Sequence, residues 1–218
     1  MSHSEQEYAE KIISICKKLH QRNLLAAADG NISHRLPNDT IMITPSGLSK
    51  VDLVVEDMAL LDLEGNILKG NPSSEKSMHL RVYQECPEAR AVVHAHPPTA
   101  IAWTVANPEL DFLPAECLSE LILAVGDIPI TPYARPGTAT MGEVLVPFLK
   151  TYRALILARH GALTWGESIA EAHRGMERVE HVSEILYKAK ILGGLTTLSK
   201  EEVTHLREMR KKIGPTIL

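Results

Sequence analysis

The chain has little cysteine. Cys16, Cys86 and Cys117 are an odd three in 218 residues, with no CxxC spacing. That argues against a disulfide-stapled secreted scaffold and fits a reducing cytosol. There is no basic excess either: 23 Lys and Arg stand against 27 Asp and Glu, for a net charge of -4. Such a balance offers no footprint for nucleic acid or an anionic membrane, so any anion-binding site must be local. No apolar run approaches the roughly 18 residues of a membrane span. The N-terminus, Met1-Ser2-His3-Ser4-Glu5-Gln6-Glu7, is polar and acidic, unlike a secretory signal. The expectation is a cytoplasmic protein. No repeat, low-complexity segment or linker divides the chain. Apolar content of 44% and charge of 23% suit a single α/β domain over residues 1–218 with a sizeable core.

The coarse organisation alternates helices and strands. Ser4 to Gln21 reads as a helix, with Tyr8, Ile12, Ile15, Cys16 and Leu19 at helical spacing. Asp29-Gly30-Asn31 reads as a turn and residues 40–44 as a strand. Residues 58–63 and 67–68 read as a hairpin about Glu64-Gly65-Asn66. Asn71-Pro72-Ser73-Ser74 opens a helix to about Glu85, and Thr99 to Ala106 is a short helix. Ile128-Pro129-Ile130 has the proline of an edge strand. Gly142 to Leu149 reads as one helix. Ser168-Ile169-Ala170-Glu171 is a capping box opening a long helix whose apolar face carries Ile169, Ala172, Met176, Val179, Ile185, Leu186 and Ala189. Ser199-Lys200-Glu201-Glu202 opens the last helix. The charged segment from Lys200 to Leu218 reads as a tail outside the core, free to cover a neighbouring site. The pattern predicts α/β/α layering.

His94-Ala95-His96 ends the apolar run Ala91-Val92-Val93. In a strand, residues two apart share a face, so this spacing aims two imidazoles at one point. A second apolar run, Ala154 to Ala158, leads into Arg159-His160-Gly161. Three histidines with an open position or a carboxylate form the ligand set of a catalytic divalent metal, most often zinc. Three small-residue turns, Gly30-Asn31, Ser46-Gly47 and Ser73-Ser74, could bind an anion through backbone N–H groups and hydroxyls. Glu75 would be a natural general base beside them. Each feature alone also has an ordinary structural reading. A strand-end histidine can be a hydrogen-bonded polar group, Ser73 an N-cap, and Glu75 a dipole-favoured surface residue. His173 and His181, eight apart on the long helix, read as structural or solvent-facing. Trp103, Trp165 and the methionines read as core or subunit contacts.

The order Gly30-Asn31-Ile32-Ser33, Ile43-Thr44-Pro45-Ser46-Gly47, Pro72-Ser73-Ser74-Glu75, His94-Ala95-His96 and Arg159-His160-Gly161 resembles the class II aldolase/adducin family, typified by fuculose-1-phosphate aldolase. The likeness spans about residues 8 to 192. It implies a central, mostly antiparallel sheet covered by helices. It implies that His94, His96 and His160 bind one divalent ion, zinc first and Mn2+ or Co2+ as alternatives. It implies that Glu75 ligates the resting metal and serves as acid and base, and that Gly30, Asn31, Ser46, Gly47, Ser73 and Ser74 bind the substrate phosphate. It further implies a cyclic homotetramer. Adducin-type relatives lack the metal ligands, and this chain keeps them.

The resemblance implies retro-aldol cleavage of a ketose 1-phosphate to dihydroxyacetone phosphate and a short aldehyde. Fuculose-specific members carry a threonine where this chain has Ala28, and a tyrosine where Leu118 aligns. Nearby Glu116 becomes a second catalytic candidate, and Glu120 lies beside it. The segment resembles the subgroup acting on 5-deoxyribulose and 5-methylthioribulose 1-phosphates, with Leu118 as an apolar wall. Alternatives on the same scaffold are methylthioribulose-1-phosphate dehydratase, L-fuculose-1-phosphate aldolase and pentulose-5-phosphate 4-epimerase. A different class is a non-catalytic, adducin-like interaction module.

Overall fold

The computed structural model describes residues 3–218; Met1 and Ser2, which open the polar N-terminal stretch, lie outside it. One eight-stranded sheet runs through these residues in the order β4-β3-β2-β1-β5-β8-β7-β6. The strands are β1 Asn31–Arg35, β2 Ile41–Ile43, β3 Ala59–Leu61, β4 Ile67–Lys69, β5 Ala91–Ala95, β6 Ile130–Thr131, β7 Ala154–Leu157 and β8 Gly161–Gly166. Neighbours are antiparallel except β6 with β7. This is the layered α/β fold that the sequence predicts.

Strand alternation builds the two cores. Ile32, Val93, Ala95, Ile156 and Ala162 face one layer, formed by α1 (His3–Gln21), α3 (Pro98–Ala106), α4 (Ser119–Ala124), α7 (Ile169–Leu192) and α8 (Lys200–Ile213). Ile43, Val92, Leu155, Leu163 and Trp165 face the other, formed by α2 (Lys76–Glu85), α5 (Thr140–Glu143) and α6 (Val146–Leu149). The same alternation turns Asn31, Ser33 and His94 toward α2. Among the described residues no helix is long and apolar enough to cross a membrane.

Several expectations need correction. The run from Ala154 to Gly161 is not one strand. The chain reverses at Ala158-Arg159-His160, with Arg159 left-handed at φ 59°, and Gly161 starts β8. β1 and β8 were not expected as strands, because Asn, Ser, His, Arg and Gly dilute their apolar pattern. The expected helix from Gly142 to Leu149 is two short ones. On α7, Ile185 points outward and Val182 fills the core instead. The helix expected from Ser73 begins at Lys76.

The C-terminal segment is also part of the fold rather than a loose cover. Val203, Leu206 and Ile217 are buried in the first core. Arg210 donates to the carbonyls of Leu123, Val125, Pro215 and Thr216. Ile217 N–H donates to the Glu171 carboxylate at 2.9 Å, and Arg153 pairs with that carboxylate at 2.7 Å. Glu171 therefore ties β7, α7 and the C-terminus at one buried point. Arg153 keeps a second partner in Glu167. Glu171→Ala should cost about 3 kcal/mol, the low end for breaking a buried pair. Denaturant unfolding reads this directly, and a loss near zero would show that the junction is not a stability centre.

Candidate active site

The three histidines converge from the end of β5 and from the β7–β8 turn. His94 sits in β5, His96 just beyond it, and His160 in the β7–β8 turn. Their ligand atoms lie within 4.8 Å of one another. His94 Nδ1 faces the Ala162 carbonyl at 2.9 Å, so it carries the proton and leaves Nε2 bare. His96 Nδ1 faces Asp29 at 3.3 Å, which gives it the same polarity. Carbonyl and carboxylate partners of this kind orient metal-binding imidazoles. Burial, and then the neighbouring His94 and His160, push the His96 pKa down to about 4, so its lone pair is free. Gly161 makes the convergence possible. A Cβ there would meet the Ala95 carbonyl, His94 Cε1 at 2.9 Å and His96 Cδ2 at 3.0 Å.

Glu75 arrives from the opposite side, at the residue preceding α2. Its Oε2 is 3.2 Å from His94 Nε2, and its Oε1 is 3.2 Å from His160 Nε2. His94 Nε2 and His96 Nε2 are likewise 3.2 Å apart. A tetrahedral ion with ligands at about 2.0–2.1 Å separates its ligand atoms by about 3.3 Å. The donor set and these spacings fit a divalent ion. His160 Nδ1 is buried without a partner among the described residues. Burial alone would raise the Glu75 pKa. The facing His160 and His94 rings and the Asn31 amide outweigh it, and the carboxyl sits well below the usual range. Asn31 Nδ2 donates to Glu75 Oε2 at 2.9 Å.

A cavity of about 310 Å³ opens beside these groups. Its walls include Gly30, Asn31, Ser46, Gly47, Ser73 and Ser74, so all three small-residue turns meet there. Gly30 is left-handed at φ 69°, and a Cβ on it would meet Leu25 and the His94 carbonyl. Ser73 is held in the turn by its N–H to the Thr44 carbonyl and accepts from Glu75 N–H at 3.3 Å. It is therefore a turn residue before the helix, not its N-cap.

Lys50 also lines the cavity, and nothing in the sequence marks it, since a lone lysine reads as surface. It is 2% exposed, and its ammonium donates to the carbonyls of Ala28 and Leu48 at 2.7 and 2.8 Å. It thus pins two of the turns together. Burial lowers its pKa, opposed by Cys16, Asp29 and Glu75.

Residues 10–187 match the family described as class II aldolase and adducin N-terminal domain. The chain belongs to this family. A 3-oxo-tetronate 4-phosphate decarboxylase of Pectobacterium atrosepticum is 30% identical, over 84% of this chain and 85% of that protein. A 5-deoxy-D-ribulose 1-phosphate aldolase of Bacillus thuringiensis is 32% identical, over 96% and 98%. A solved L-fuculose 1-phosphate aldolase superposes with a TM-score of 0.84 at 29% identity, covering 97% of this chain and 98% of that one. The class II aldolase family thus contains both aldolases and decarboxylases similar to this chain.

Not every residue expected from that family reaches the cavity. Glu116 is half-exposed and pairs with Arg207 of α8 at 3.3 Å. It does not line the cavity, and its role as a second acid or base finds no geometry within the chain. Leu118 packs against the first core instead of walling the cavity. Ala28, at the position of the family's threonine, does line it. His173 and His181 stand on α7, apart from the cluster. Trp103 and Trp165 are core residues.

Proposed function

We propose that this chain is a cytoplasmic, divalent-metal-dependent lyase that cleaves a ketose 1-phosphate by retro-aldol chemistry. The observation that carries the reading is the meeting of three imidazoles and an ionised carboxylate beside a cradle of three anion-suited turns. His94, His96, His160 and Glu75 would hold the ion, zinc first. Such an ion, when bound, supplies Lewis acidity where negative charge gathers as the carbon–carbon bond breaks. Gly30, Asn31, Ser46, Gly47, Ser73 and Ser74 hold the phosphate, and Lys50 adds positive charge behind them. The anchored phosphate orients the reacting carbons against Glu75. Breaking the C3–C4 bond releases an aldehyde at C4 and leaves the electron pair on the C2–C3 fragment. Glu75 takes up, as base, the proton that the C4 hydroxyl loses as its oxygen becomes the aldehyde carbonyl, and as acid it delivers a proton to C3, completing dihydroxyacetone phosphate.

The preferred substrates are 5-deoxyribulose and 5-methylthioribulose 1-phosphates. The 5-deoxyribulose relative, similar along nearly its whole length, supports this choice. The test is kcat/KM for 5-deoxyribulose 1-phosphate against fuculose 1-phosphate. A clear preference for the former is expected, and the reverse would overturn the substrate assignment alone. The decarboxylase relatives favour a second reading, loss of carbon dioxide from a 3-oxo acid phosphate. That reaction makes the same electronic demand, a carbanion next to a carbonyl. A cyclic homotetramer is the expected assembly, as closed symmetry is the common solution for homo-oligomers.

The phosphate should be indispensable. Ser73→Ala combined with Ser74→Ala should lower kcat/KM roughly tenfold to a hundredfold, since a hydrogen bond to a charged group is worth about 1.5–3 kcal/mol. Metal content should not change. Equal turnover of the sugar lacking phosphate would remove these turns from the mechanism.

A further inference from the structure

α2 and β1 meet in an unbroken buried chain of hydrogen bonds that ends on Glu75. Glu75, His79 and Tyr83 are spaced by four along the helical side. Asn31 and Ser33 are spaced by two along the strand, so both sets face one another. Asn31 Nδ2 lies 2.9 Å from Glu75 Oε2, and Asn31 Oδ1 contacts His79 Nε2. His79 Nδ1 lies 2.7 Å from Ser33 Oγ, and that oxygen lies 2.7 Å from the Tyr83 hydroxyl. Asn31, Ser33, His79 and Tyr83 are all 3% exposed or less.

The ionised end sets the polarity of every link. A carboxylate only accepts, so Asn31 must present its N–H to Glu75. The amide oxygen is then left for His79, whose Nε2 must carry the proton. His79 Nδ1 is bare and accepts from Ser33, and Ser33 accepts from the Tyr83 O–H. The opposite tautomer of His79 would turn the Asn31 amide over and set its oxygen against the Glu75 carboxylate. Burial pushes the His79 pKa down to about 3, which agrees with a neutral ring. With the ring neutral, no other tautomer satisfies all four contacts.

We propose that His79 is a positioning residue: held as its neutral Nε2–H tautomer by Ser33 and Tyr83, it locks the Asn31 amide so that its N–H is aimed at Glu75. The inference rests on the reading of Glu75 as the proton carrier. His79 touches neither the reacting atoms nor the metal ligands. Its effect passes through Asn31, which holds the carboxylate in one orientation for proton transfer to C3. Loss of a supporting partner of this type typically costs roughly 10–100-fold.

Long-range proton–nitrogen NMR of the zinc-loaded full-length protein, labelled with 15N-histidine, reads the tautomer without any reaction. The His79 signals are assigned by their loss in His79→Gln. The expected result is a protonated Nε2 and a bare Nδ1; a protonated Nδ1 would overturn the proposal. In kinetics, His79→Leu should lower kcat roughly 10–100-fold with KM and zinc content unchanged. His79→Gln can still donate to Asn31 and should recover most of that loss. Should His79→Leu fail to fold, Ser33→Ala frees Nδ1 and should lower kcat in the same sense. Wild-type kcat in the folded His79→Leu protein, or in Ser33→Ala if the His79→Leu protein cannot be made, would refute the role. Full activity of Glu75→Gln would instead refute the proton-carrier reading, and the NMR result would still decide the polarity of the chain.

Discussion

Replacing His160 with alanine should strip the metal and abolish turnover while leaving the fold intact. The residue sits in the turn between β7 and β8 and contributes no apolar packing, so its loss is chemical rather than structural. His94→Ala and His96→Ala should have the same effect on the ion. Removing a direct ligand should exceed the roughly 10–100-fold cost of losing an outer partner. Asp29→Ala, which frees His96 Nδ1, should fall within that smaller range. Metal stoichiometry by elemental analysis separates the two classes. Full occupancy in the His160→Ala protein would break the ligand assignment.

Glu75→Gln is the second large effect. The amide keeps the shape but cannot accept and return a proton, and general acid–base catalysis is typically worth roughly 10²–10⁴ in rate. It also puts an amide opposite the Asn31 N–H, so the two groups lose their charge-assisted contact. The variant should fold, bind inorganic phosphate as tightly as wild type and turn over at least roughly a hundredfold more slowly. Activity within a few-fold of wild type would assign the proton to another group. Within the chain that group is not Glu116, which is committed to Arg207 outside the cavity.

The parts of this architecture that were legible in the sequence share one property: their signal is local. The His94-Ala95-His96 spacing, the hairpin about Gly65 and the Ser168 and Ser199 caps all act within a few residues, and the structure has each of them. The small-residue turns were legible one by one, and the in-order resemblance linked them into a set. What stayed hidden depends on contacts made across the fold. Lys50 is buried only because two turns, at Ala28 and Leu48, close over it. His79, Ser33 and Tyr83 form a chain only because α2 lies over β1. The C-terminal segment looked too charged for the core. Three apolar residues, Val203, Leu206 and Ile217, nevertheless anchor it, while Arg210 satisfies four carbonyls around it. Leu118 failed as a pocket residue for the same reason, since an aligned position does not fix where a side chain packs.

The decarboxylase relatives add a reaction absent from the alternatives that the sequence suggested, and they sharpen what must be measured. Both reactions develop a carbanion next to a carbonyl on a phosphorylated substrate, so the proposed site would suit either. Only the departing fragment differs. The decisive measurement is product analysis after incubating the metal-loaded protein separately with 5-deoxyribulose 1-phosphate and with a 3-oxo acid 4-phosphate. The account predicts dihydroxyacetone phosphate and acetaldehyde in equal amounts from the first, lost on metal removal, and no carbon dioxide from the second. Release of carbon dioxide from the second with no aldehyde from the first would contradict it.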